Sequence, residues 1–528
     1  MRLIGVRLKS KKKIMRNIIY ILHIIIAMLF FASCEDDGVV MLGDNEPCYT
    51  ILVSAPNVSD TRAYYKEDGE NIAVVWEKGD VVVLNDGTRE YSFVFKEMQG
   101  NNGLFFHYGE IANATGWTGT VSFGSAPGNT AQTQKKNNVC GEYLKANETG
   151  INLNNKPTIS LLPADNNSLI HIQTKSPAMF LGGSVLKIKG LDQNNVYTVT
   201  LGNNPEYVFA DQGDVLDIYV AVPAGKTISN GAALKFYFYS YDVVTGRAET
   251  GDEYHYYMKC NGAITTANNE VVKMTLPNKP THTAIQLGLS VKWATMNIGA
   301  TSDQPGEASF GKYLPWGMTE EHFEFAWEDP NLSMLYRKTN GELKAVFGNG
   351  FSGSIQGITP REYMGDTYGD PATCLWGDDW VIPTRTQINE LMEQMRNTKV
   401  QGAKFTNWVE WAKDYVIPHV KTNGCYVYGK DSYSNKKVWF PAAGGVHSEK
   451  RGTPESPASN DGCNGVYMTA TTASTSPGKQ PSCYVFMFNG DKKNGSVGDF
   501  SLGCSDKIVY NFDIRIHGCS VRPIRKSN

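Results

Sequence analysis

Short runs of strand-forming, mostly apolar residues, separated by Gly, Asn and Asp, occupy most of the chain from residue 50 to residue 276. Short runs of this kind bounded by turn residues are typical of β-strands. The runs that we interpret as strands include 51–54, 80–84, 91–95, 169–172, 196–201, 217–222, 235–239 and 271–276. The turn signal Asn85-Asp86-Gly87 between two of them predicts a hairpin. Strands at this spacing, without helical periodicity, predict β-sandwiches, and the length suffices for two, with a break between Pro157 and Asp165.

The pattern changes after residue 280. Pro277 and Pro280 predict a linker here, because neither can donate a hydrogen bond to a sheet. Further on, Thr384 and Gln387 have the spacing of a helix capping box. Apolar residues then follow at the helical positions Ile388, Leu391, Met392 and Met395. Short strand-like runs resume and continue to the end, so we predict an α+β domain here, in a protein that is mainly β.

The N-terminus has the pattern of an export signal. Seven Lys and Arg lie between residues 2 and 16, an apolar run covers 18–31, and small residues precede Cys34. We interpret residues 1–33 as a lipoprotein signal peptide, Cys34 as the lipidated first residue and residues 34–49 as a tether. Two or more acyl chains on that cysteine give stable anchoring. An ordinary secretory signal with an incidental cysteine, and a start at Met15 instead of Met1, are the alternatives.

Composition and charge exclude several classes of function. The chain has 528 residues, of which 41% are hydrophobic and 20% charged, and its mean hydropathy of -0.33 excludes a polytopic membrane protein. Basic and acidic residues number 50 and 53, but seven of the basic ones fall before residue 34, so the rest of the chain carries a net charge of -10. An acidic body lacks the basic surface that phosphate backbones require. We therefore predict no nucleic-acid partner.

Residues 50–276 resemble the fimbrillin family, the pilins and pilus-associated lipoproteins of Bacteroidota. The resemblance rests on Asp60-Thr61-Arg62-Ala63, on 76–81, on Gln132-Thr133-Gln134 and on 168–172. It implies two transthyretin-like β-sandwiches, over residues 50–160 and 161–278, that join other fimbrillin subunits by strand addition. It also makes Arg62 a candidate for proteolytic processing, the alternative being a solvated arginine at a strand entrance. With Cys34, it implies a lipid anchor in the outer membrane at the cell surface, or a place in pili.

Residues 285–524 resemble the Fibrobacter succinogenes major paralogous domain. Its signature phrases occur in order at 287–300, 310–317, 380–384, 440–444 and 519–524. After a linker at 279–284, the resemblance implies a C-type-lectin-like fold over residues 285–528, similar to that of formylglycine-generating enzymes. In that fold a small sheet and two helices hold long loops on one face, and loops on a rigid scaffold suit binding. Gln286 and residues 465–471 depart from the family's pattern.

Motifs for catalysis and metal binding are lacking. The nine histidines form no His-Glu-x-x-His and no cluster at zinc spacing, and neither a Gly-x-Ser-x-Gly elbow nor a phosphate-binding glycine loop occurs. We predict that the protein is not an enzyme and has no cofactor and no bound metal. Six cysteines of the C-terminal domain are candidates for disulfides in an exported protein, namely Cys374, Cys425, Cys463, Cys483, Cys504 and Cys519. Free thiols, or a redox-active pair as in formylglycine-generating enzymes, are the alternatives.

Ligand contacts are expected in the late loops, through aromatic stacking and amide hydrogen bonds. The candidates are Asn464, Tyr467, Tyr484, Phe488, Asn489, Tyr510 and Asn511. The alternative for each is packing in the core as a strand residue. Trp293, Trp316, Trp376 and Trp380 stand in or beside the signature phrases, and we interpret them as part of the frame.

The sequence favours a lipid-anchored surface adhesin, or a pilus tip or accessory subunit, whose C-terminal head binds a glycan or protein on a host or neighbouring cell. A polymerising structural pilin is the first alternative. An enzyme of the formylglycine-generating type and an accessory protein of glycan uptake are less favoured.

Overall fold

A computed structural model describes the protein over residues 47–54, 66–67, 70–71, 76, 79–124, 128–134, 143–163, 166–192, 195–202, 204–268, 270–314, 316–319, 336–339, 342–345, 354–363, 366–397, 404–405, 424–446, 464–474, 482–490, 497–504 and 518–526. The predicted signal peptide, the lipidation site Cys34 and the processing site Arg62 lie outside these residues. Within the described ranges, no helix has the length and apolar character needed to span a membrane.

The fold is mainly β, as the sequence predicts. The N-terminal strands are β1 (Cys48–Ser54), β2 (Lys66–Glu67), β3 (Glu70–Asn71), β4 (Val81–Asn85), β5 (Glu90–Gln99), β6 (Asn102–Tyr108), β7 (Trp117–Gly124), β8 (Ala131–Gln134), β9 (Tyr143–Ile151), β10 (Thr158–Ser160) and β11 (Leu162–Pro163). They are followed by β12 (Asn167–Lys175), β13 (Phe180–Leu181), β14 (Ser184–Asp192), β15 (Asn195–Leu201), β16 (Val208–Ala210), β17 (Val215–Pro223), β18 (Thr227–Ile228), β19 (Ala233–Tyr239), β20 (Glu253–Lys259), β21 (Ile264–Thr265) and β22 (Val271–Thr275).

In its described residues, the C-terminal part contributes mostly short strands, three longer ones and two α-helices. The strands are β23 (His282–Ile285), β24 (Trp293–Ala294), β25 (Tyr313–Leu314), β26 (Tyr336–Thr339), β27 (Glu342–Ala345), β28 (Arg361–Tyr363), β29 (Asp366–Tyr368), β30 (Trp380–Val381), β31 (Lys404–Phe405), β32 (Gly424–Tyr428), β33 (Lys437–Pro441), β34 (Gly445–Val446), β35 (Asn464–Ser474), β36 (Ser482–Gly490), β37 (Val497–Cys504), β38 (Gly518–Ser520) and β39 (Ile524–Arg525). The helices are α1 (Pro371–Trp376) and α2 (Arg385–Asn397). Helix α2 is the predicted helix, whereas α1 is too short to show a helical period in the sequence.

The chain forms two compact units. Of the described residues, those within 1–54, 78–121 and 146–160 form the first unit, and those within 55–77, 122–145 and 161–528 form the second. The prediction placed the whole of 50–160 in a first sandwich, but a segment from its middle packs in the second unit. Local sequence pattern cannot show this, because it reports the strand and not the sheet that the strand joins.

The first unit is built on a mixed sheet. Strand β1 runs parallel to β10 and antiparallel to β6, and the sheet continues through β5 and β4 to the parts of β7 and β9 in this unit. Strands β4 and β5 form the predicted hairpin at residues 85–87, where the Asp86 carboxylate accepts hydrogen bonds from the N–H groups of Thr88 and Arg89. The hairpin prediction is confirmed.

The second unit begins with a β-sandwich. One sheet has the order β17-β12-β22, and the other has the order β30-β39-β24-β23-β20-β19-β14-β15-β8. The core between them takes Ile172 and Ile218 from the first sheet and Leu186 and Phe238 from the second, all of them fully buried. Alternate residues of each strand face this core, and residues between them, such as Tyr219 of β17 and Tyr237 of β19, are buried in smaller clusters on the outer faces.

Strand β8 joins the two sheets of this sandwich. Its backbone pairs with β15, while the buried side chains of Gln132 and Gln134 reach the edge of β17. The Gln132 amide donates to the Ala221 carbonyl at 2.7 Å, and its Oε1 accepts from the Ala221 N–H at 2.9 Å. Oε1 of Gln134 accepts from the N–H of Tyr219 at 3.1 Å. Because a carboxamide carries a donor and an acceptor, as a peptide group does, these side chains take the place of a neighbouring strand.

The larger sheet continues into the C-terminal domain. Strand β20 of the sandwich pairs with β23, which pairs with β24, and β39 then pairs with both β24 and β30. Residues 279–284 were predicted to be a linker, whereas the chain is already in a strand from His282. The sandwich and the C-terminal domain are therefore joined by hydrogen bonds across a shared sheet.

A buried ionic cluster reinforces this junction. Glu253 of β20 lies 2.7 Å from Nζ of Lys292 and 2.5 Å from Nε of Arg525, both in the C-terminal domain. Burial alone would raise the pKa of Glu253, but the hydrogen bond with His255 and the charges of Arg525 and Lys292 hold it well below its ordinary value. The carboxylate thus stays ionised between two cations from the other side of the junction.

Candidate functional site

The C-terminal domain is built around a buried arginine. Arg522 is 1% exposed and donates to Oδ1 of Asn297 at 2.8 Å and to the carbonyls of Ala294 at 2.9 Å and Trp439 at 2.7 Å. Its guanidinium lies over the Phe440 ring, 4.6 Å from the centroid. Burial lowers the pKa of Arg522 to about 10. Asn297, Phe440 and Arg522 come from three of the signature phrases, so those phrases mark the frame of the domain.

The tryptophans of these phrases are part of the same frame. Trp293, Trp316 and Trp380 are fully buried, as predicted. Trp376 is half-buried and stacks on His282 of β23 with a centroid distance of 3.8 Å. This stacking is a further contact between the domain and the strand that enters it.

Helix α2 brings the first side chain of the candidate site to the surface. The N–H and hydroxyl of Thr384 donate to Oε1 of Gln387 at 2.8 and 2.9 Å, which confirms the predicted capping box. The N–H of Arg385 donates to Oγ1 of Thr471 on β35 at 3.0 Å. The first helical residue is thereby fixed beside the sheet, while its side chain is exposed.

Arg385 and Tyr484 form a stacked pair, which we call the Arg385–Tyr484 platform. Nη1 of Arg385 donates to the Tyr484 hydroxyl at 2.8 Å, and the guanidinium carbon lies 4.2 Å from the ring centroid. Tyr484 is half-buried, and its carbonyl accepts from the Thr469 hydroxyl at 2.8 Å. Over the described residues, no carboxylate forms an ion pair with Arg385. The platform offers an aromatic surface and a positioned cation with unused N–H donors.

Two of the predicted ligand contacts are wrong. Tyr467 is 1% exposed and donates to the Pro441 carbonyl at 2.8 Å, and Phe488 is fully buried against it. Both belong to strands that are covered on both faces, since Val485 is buried in a second cluster on the opposite side of β36. Close packing also explains Gly465, where a Cβ would lie 2.3 Å from the Phe488 ring.

The remaining predicted contacts are only partly described. The backbones of Asn464 and Asn489 lie directly opposite each other in the β35–β36 ladder, and their side chains are outside the described part of the chain. Tyr510 and Asn511 lie outside it altogether. Of the predicted contacts, Tyr484 is the one that the structure places in a described surface site.

Two of the six cysteines that were predicted to form disulfides are described as free thiols. Cys374 and Cys425 are free, which contradicts the disulfide prediction for these two residues. Burial raises the pKa of Cys374 to about 11 and that of Cys519 to about 12. Cys483 is buried in the same core cluster as Cys519. Cys463 and the side chain of Cys504 lie outside the described residues.

Arg385 is the site residue that the sequence analysis missed. The helix macrodipole favours acidic residues in the first turn, so an arginine at the first helical position opposes that preference. This conflict, next to a clear capping box, is the signal that could have pointed to a role outside helix stability. In the described part of the chain, no group of three His, Cys, Asp or Glu is placed to hold a metal ion.

Comparisons with known proteins give distant similarities. No protein-family model matches the sequence, and a search of curated proteins finds no significant match. Among solved structures, the chain is similar to a proposed cell adhesion protein from Bacteroides uniformis, with 16% identity, a TM-score of 0.20, and coverage of 44% of this chain and 94% of that one. A proposed cell adhesion protein from Bacteroides fragilis has 11% identity, a TM-score of 0.20, and coverage of 46% and 96%. A streptococcal ancillary pilin has 10% identity, a TM-score of 0.14, and coverage of 57% and 85%.

Proposed function

We propose that this chain is a lipid-anchored, non-catalytic adhesin of the cell surface. Its C-terminal domain binds a glycan or a protein on a host or neighbouring cell through the Arg385–Tyr484 platform. The observation that carries the proposal is the geometry of the pair, an exposed guanidinium held 4.2 Å above an aromatic ring. Arginine and tyrosine are enriched among the residues that dominate binding energy, because each combines a large contact area with directional hydrogen bonds.

The contacts that hold the two residues of the platform in place support a binding role. The capping box and the bond to Thr471 fix the start of α2, and β36 is held between β35 and β37. Side chains that are already held in place lose little conformational entropy on binding, which favours affinity. The platform thus combines exposure with rigidity.

The N-terminal part supports the proposed location of the protein at the cell surface and its proposed partners. The export signal and Cys34 support a lipid anchor in the outer membrane, and the fimbrillin-like residues support partners of the same family that join by strand addition. In this arrangement the C-terminal head meets the ligand while the anchored N-terminus retains the protein at the surface.

The test uses the chain from residue 35 onward, which removes the predicted lipid and retains every described domain. Binding is measured on a glycan array and on host matrix proteins, with and without chelator, for the parent chain and for Arg385→Ala and Tyr484→Ala. Two variants are matched controls: Arg361→Ala removes another exposed arginine of the same domain, and Tyr207→Ala removes a tyrosine that is 68% exposed on the sandwich.

We expect saturable, chelator-insensitive binding that weakens about tenfold in each platform variant, the size of a moderate hot-spot loss. Both controls should bind like the parent chain. Binding that the platform variants retain would contradict the proposed site, and chelator-sensitive binding would contradict the absence of a metal. If no form of the chain binds any ligand, the adhesin proposal fails, and repeated copies along fibres in electron micrographs would favour the structural pilin.

A further inference from the structure

We infer that the Arg385–Tyr484 platform recognises a glycan that bears a carboxylate or a sulfate. The inference rests on the function proposed above and adds the chemical class of the ligand. It comes from three observations: the donors left free on the guanidinium, the distribution of charge around it, and the hydroxyl and amide groups that border it.

The guanidinium is positioned but incompletely paired. Of its five N–H donors, one bonds to the Tyr484 hydroxyl at 2.8 Å, and the described residues provide no carboxylate for the others. The stacking on Tyr484 at 4.2 Å fixes the plane of the group. A planar fork with free donors matches the two oxygens of a carboxylate or sulfate group, which it binds through parallel charge-assisted hydrogen bonds.

Three chain segments meet at the platform. The Ala470 N–H donates to the Pro383 carbonyl at 2.8 Å, which joins β35 to the residues just before α2. Ser354 forms an isolated bridge with Thr471, and the Gln356 amide donates to the Gln387 side chain at 3.0 Å. Residues 354–360, residues 380–389 and the β35–β36 pair (464–474 and 482–490) therefore surround one surface.

These three segments contain no acidic residue. Their one charged side chain is Arg385, in a chain that carries a net charge of -10 from residue 34 onward. The acidic residues that flank 380–389 are engaged elsewhere. Asp379 accepts from the Tyr237 hydroxyl at 2.6 Å, and Glu390 accepts from the Ser290 N–H at 2.9 Å. The carboxylate that contacts two of the segments, Asp370, is fully buried and accepts from the N–H groups of Gly357 and Ile382 at 2.8 and 3.0 Å. At the surface, Arg385 therefore forms a local cationic site on an acidic protein, which attracts anions over roughly the 8 Å Debye length of physiological salt.

The surroundings favour a saccharide as the carrier of the anion. Ser354 and Thr386 are exposed, and Thr471 and Thr472 are half-buried, so hydroxyl groups border the cation. Hydroxyls exchange hydrogen bonds with sugar hydroxyls as donor or acceptor, and the Tyr484 ring offers an apolar face to a pyranose. A single cation in a neutral, hydroxyl-rich setting fits an acidic sugar unit better than a multiply charged polyphosphate.

The test compares matched ligands on the chain from residue 35 onward. One pair is a uronic-acid polysaccharide and its carboxyl-reduced form, and the other is a sulfated glycosaminoglycan and its desulfated form. The variants are Arg385→Gln, Arg385→Lys and Tyr484→Phe, with Arg361→Gln as the charge-matched control. A glutamate-rich polypeptide is included, and affinity is measured at several salt concentrations.

The parent chain should bind one acidic glycan at least about tenfold more tightly than its neutral partner, with affinity falling as salt rises. Arg385→Gln should remove this preference. Arg385→Lys should keep only part of it, because lysine lacks the planar guanidinium with its paired donors. Tyr484→Phe should lower the affinity for the acidic glycan a few-fold, because the hydroxyl that holds Arg385 is lost. Arg361→Gln should keep the full preference.

Several outcomes would overturn the inference. Equal affinity for acidic and neutral glycans, with loss of both in Arg385→Gln, would leave the proposed adhesin standing and reject the acidic class. If the Arg385→Gln variant still prefers acidic glycans, the cationic group that recognises them lies elsewhere in the protein. Binding to the glutamate-rich polypeptide but to no glycan would reject the saccharide.

Discussion

Arg522 is fully buried, and its hydrogen-bond partners among the described residues are neutral oxygens, such as Oδ1 of Asn297 and the Trp439 carbonyl. Replacing it by methionine leaves those buried acceptors without donors, and each unsatisfied group costs about 1–3 kcal/mol. We expect Arg522→Met to lower the free energy of unfolding by at least about 3 kcal/mol, and Arg522→Lys by less, since lysine keeps the charge but lacks the fork.

The free energy of unfolding would be measured by chemical denaturation of the chain from residue 35 onward. Arg385→Met is the matched control, because Arg385 is exposed and its loss should change the free energy of unfolding by at most about 0.5 kcal/mol. The two arginines should thus differ: Arg522 affects the free energy of unfolding strongly, whereas Arg385, the residue of the proposed binding site, affects it little. An Arg522→Met variant as stable as the parent chain would contradict the role of Arg522 in the frame.

The individual site residues were only partly predictable from sequence. Tyr467, Tyr484 and Phe488 all have the amphipathic or apolar rings expected of a binding surface, yet only Tyr484 reaches the surface. The difference lies in the neighbours of β36 and in the cover on its two faces, which bring together residues far apart in the chain. Residue type indicates what a side chain offers, and the sheet order decides whether a ligand can reach it.

Strand β8 allows a prediction on a single element. Gln132→Glu keeps the size of the side chain but replaces the amide that donates to the Ala221 carbonyl with a carboxylate that has no proton to give. A buried carboxylate facing a carbonyl should lower the free energy of unfolding by roughly 2–4 kcal/mol at pH 7.

The pH dependence of this loss follows from the same geometry. Burial raises the pKa of the introduced carboxyl in the folded state, so the folded protein binds a proton as the pH falls, and the protonated acid can donate to Ala221. Part of the stability should therefore return between pH 7 and pH 5, in chemical denaturation at each pH. Gln212→Glu, on an exposed turn, is the matched control and should change little at either pH. An equal loss for both variants would show that the Gln132 amide does not hold β8.

Elements defined by local pattern were predictable, and elements defined by distant partners were not. Helix α2 and the hairpin at residues 85–87 follow from capping, spacing and turn residues that are close in sequence. Strand β39 instead pairs with Trp293 of β24 and with β30, both more than a hundred residues away. A strand of two residues is too short to show a repeating pattern in the sequence. The sequence therefore predicted a sandwich followed by a C-terminal domain, but not the sheet that the two share.

The shared sheet decides how the whole molecule can be divided. A cut at residue 280 follows the predicted domain boundary, but it removes β20, with which β23 pairs, and Glu253, the carboxylate that contacts both Lys292 and Arg525. Removing one partner of a buried ionic cluster leaves uncompensated charge and typically costs about 3–5 kcal/mol. We therefore expect the fragment 280–528 to be far less stable than the fragment 122–528, which keeps β8, the sandwich and the head.

The measurement is the unfolding midpoint of both fragments and of the chain from residue 35 onward, with binding by the platform as a second readout. In the short fragment, the double change Lys292→Met and Arg525→Leu removes the two cations left without Glu253, so it should raise the unfolding midpoint. The control is the double change Lys430→Met and Arg361→Leu, at two exposed residues, which should leave the midpoint unchanged. If 280–528 unfolds at the same midpoint as 122–528, the junction is a simple tether and the head is an independent domain. If it does not, the sandwich is a structural part of the head, and an adhesin of this kind would transmit the load on its platform through a continuous sheet into the stalk.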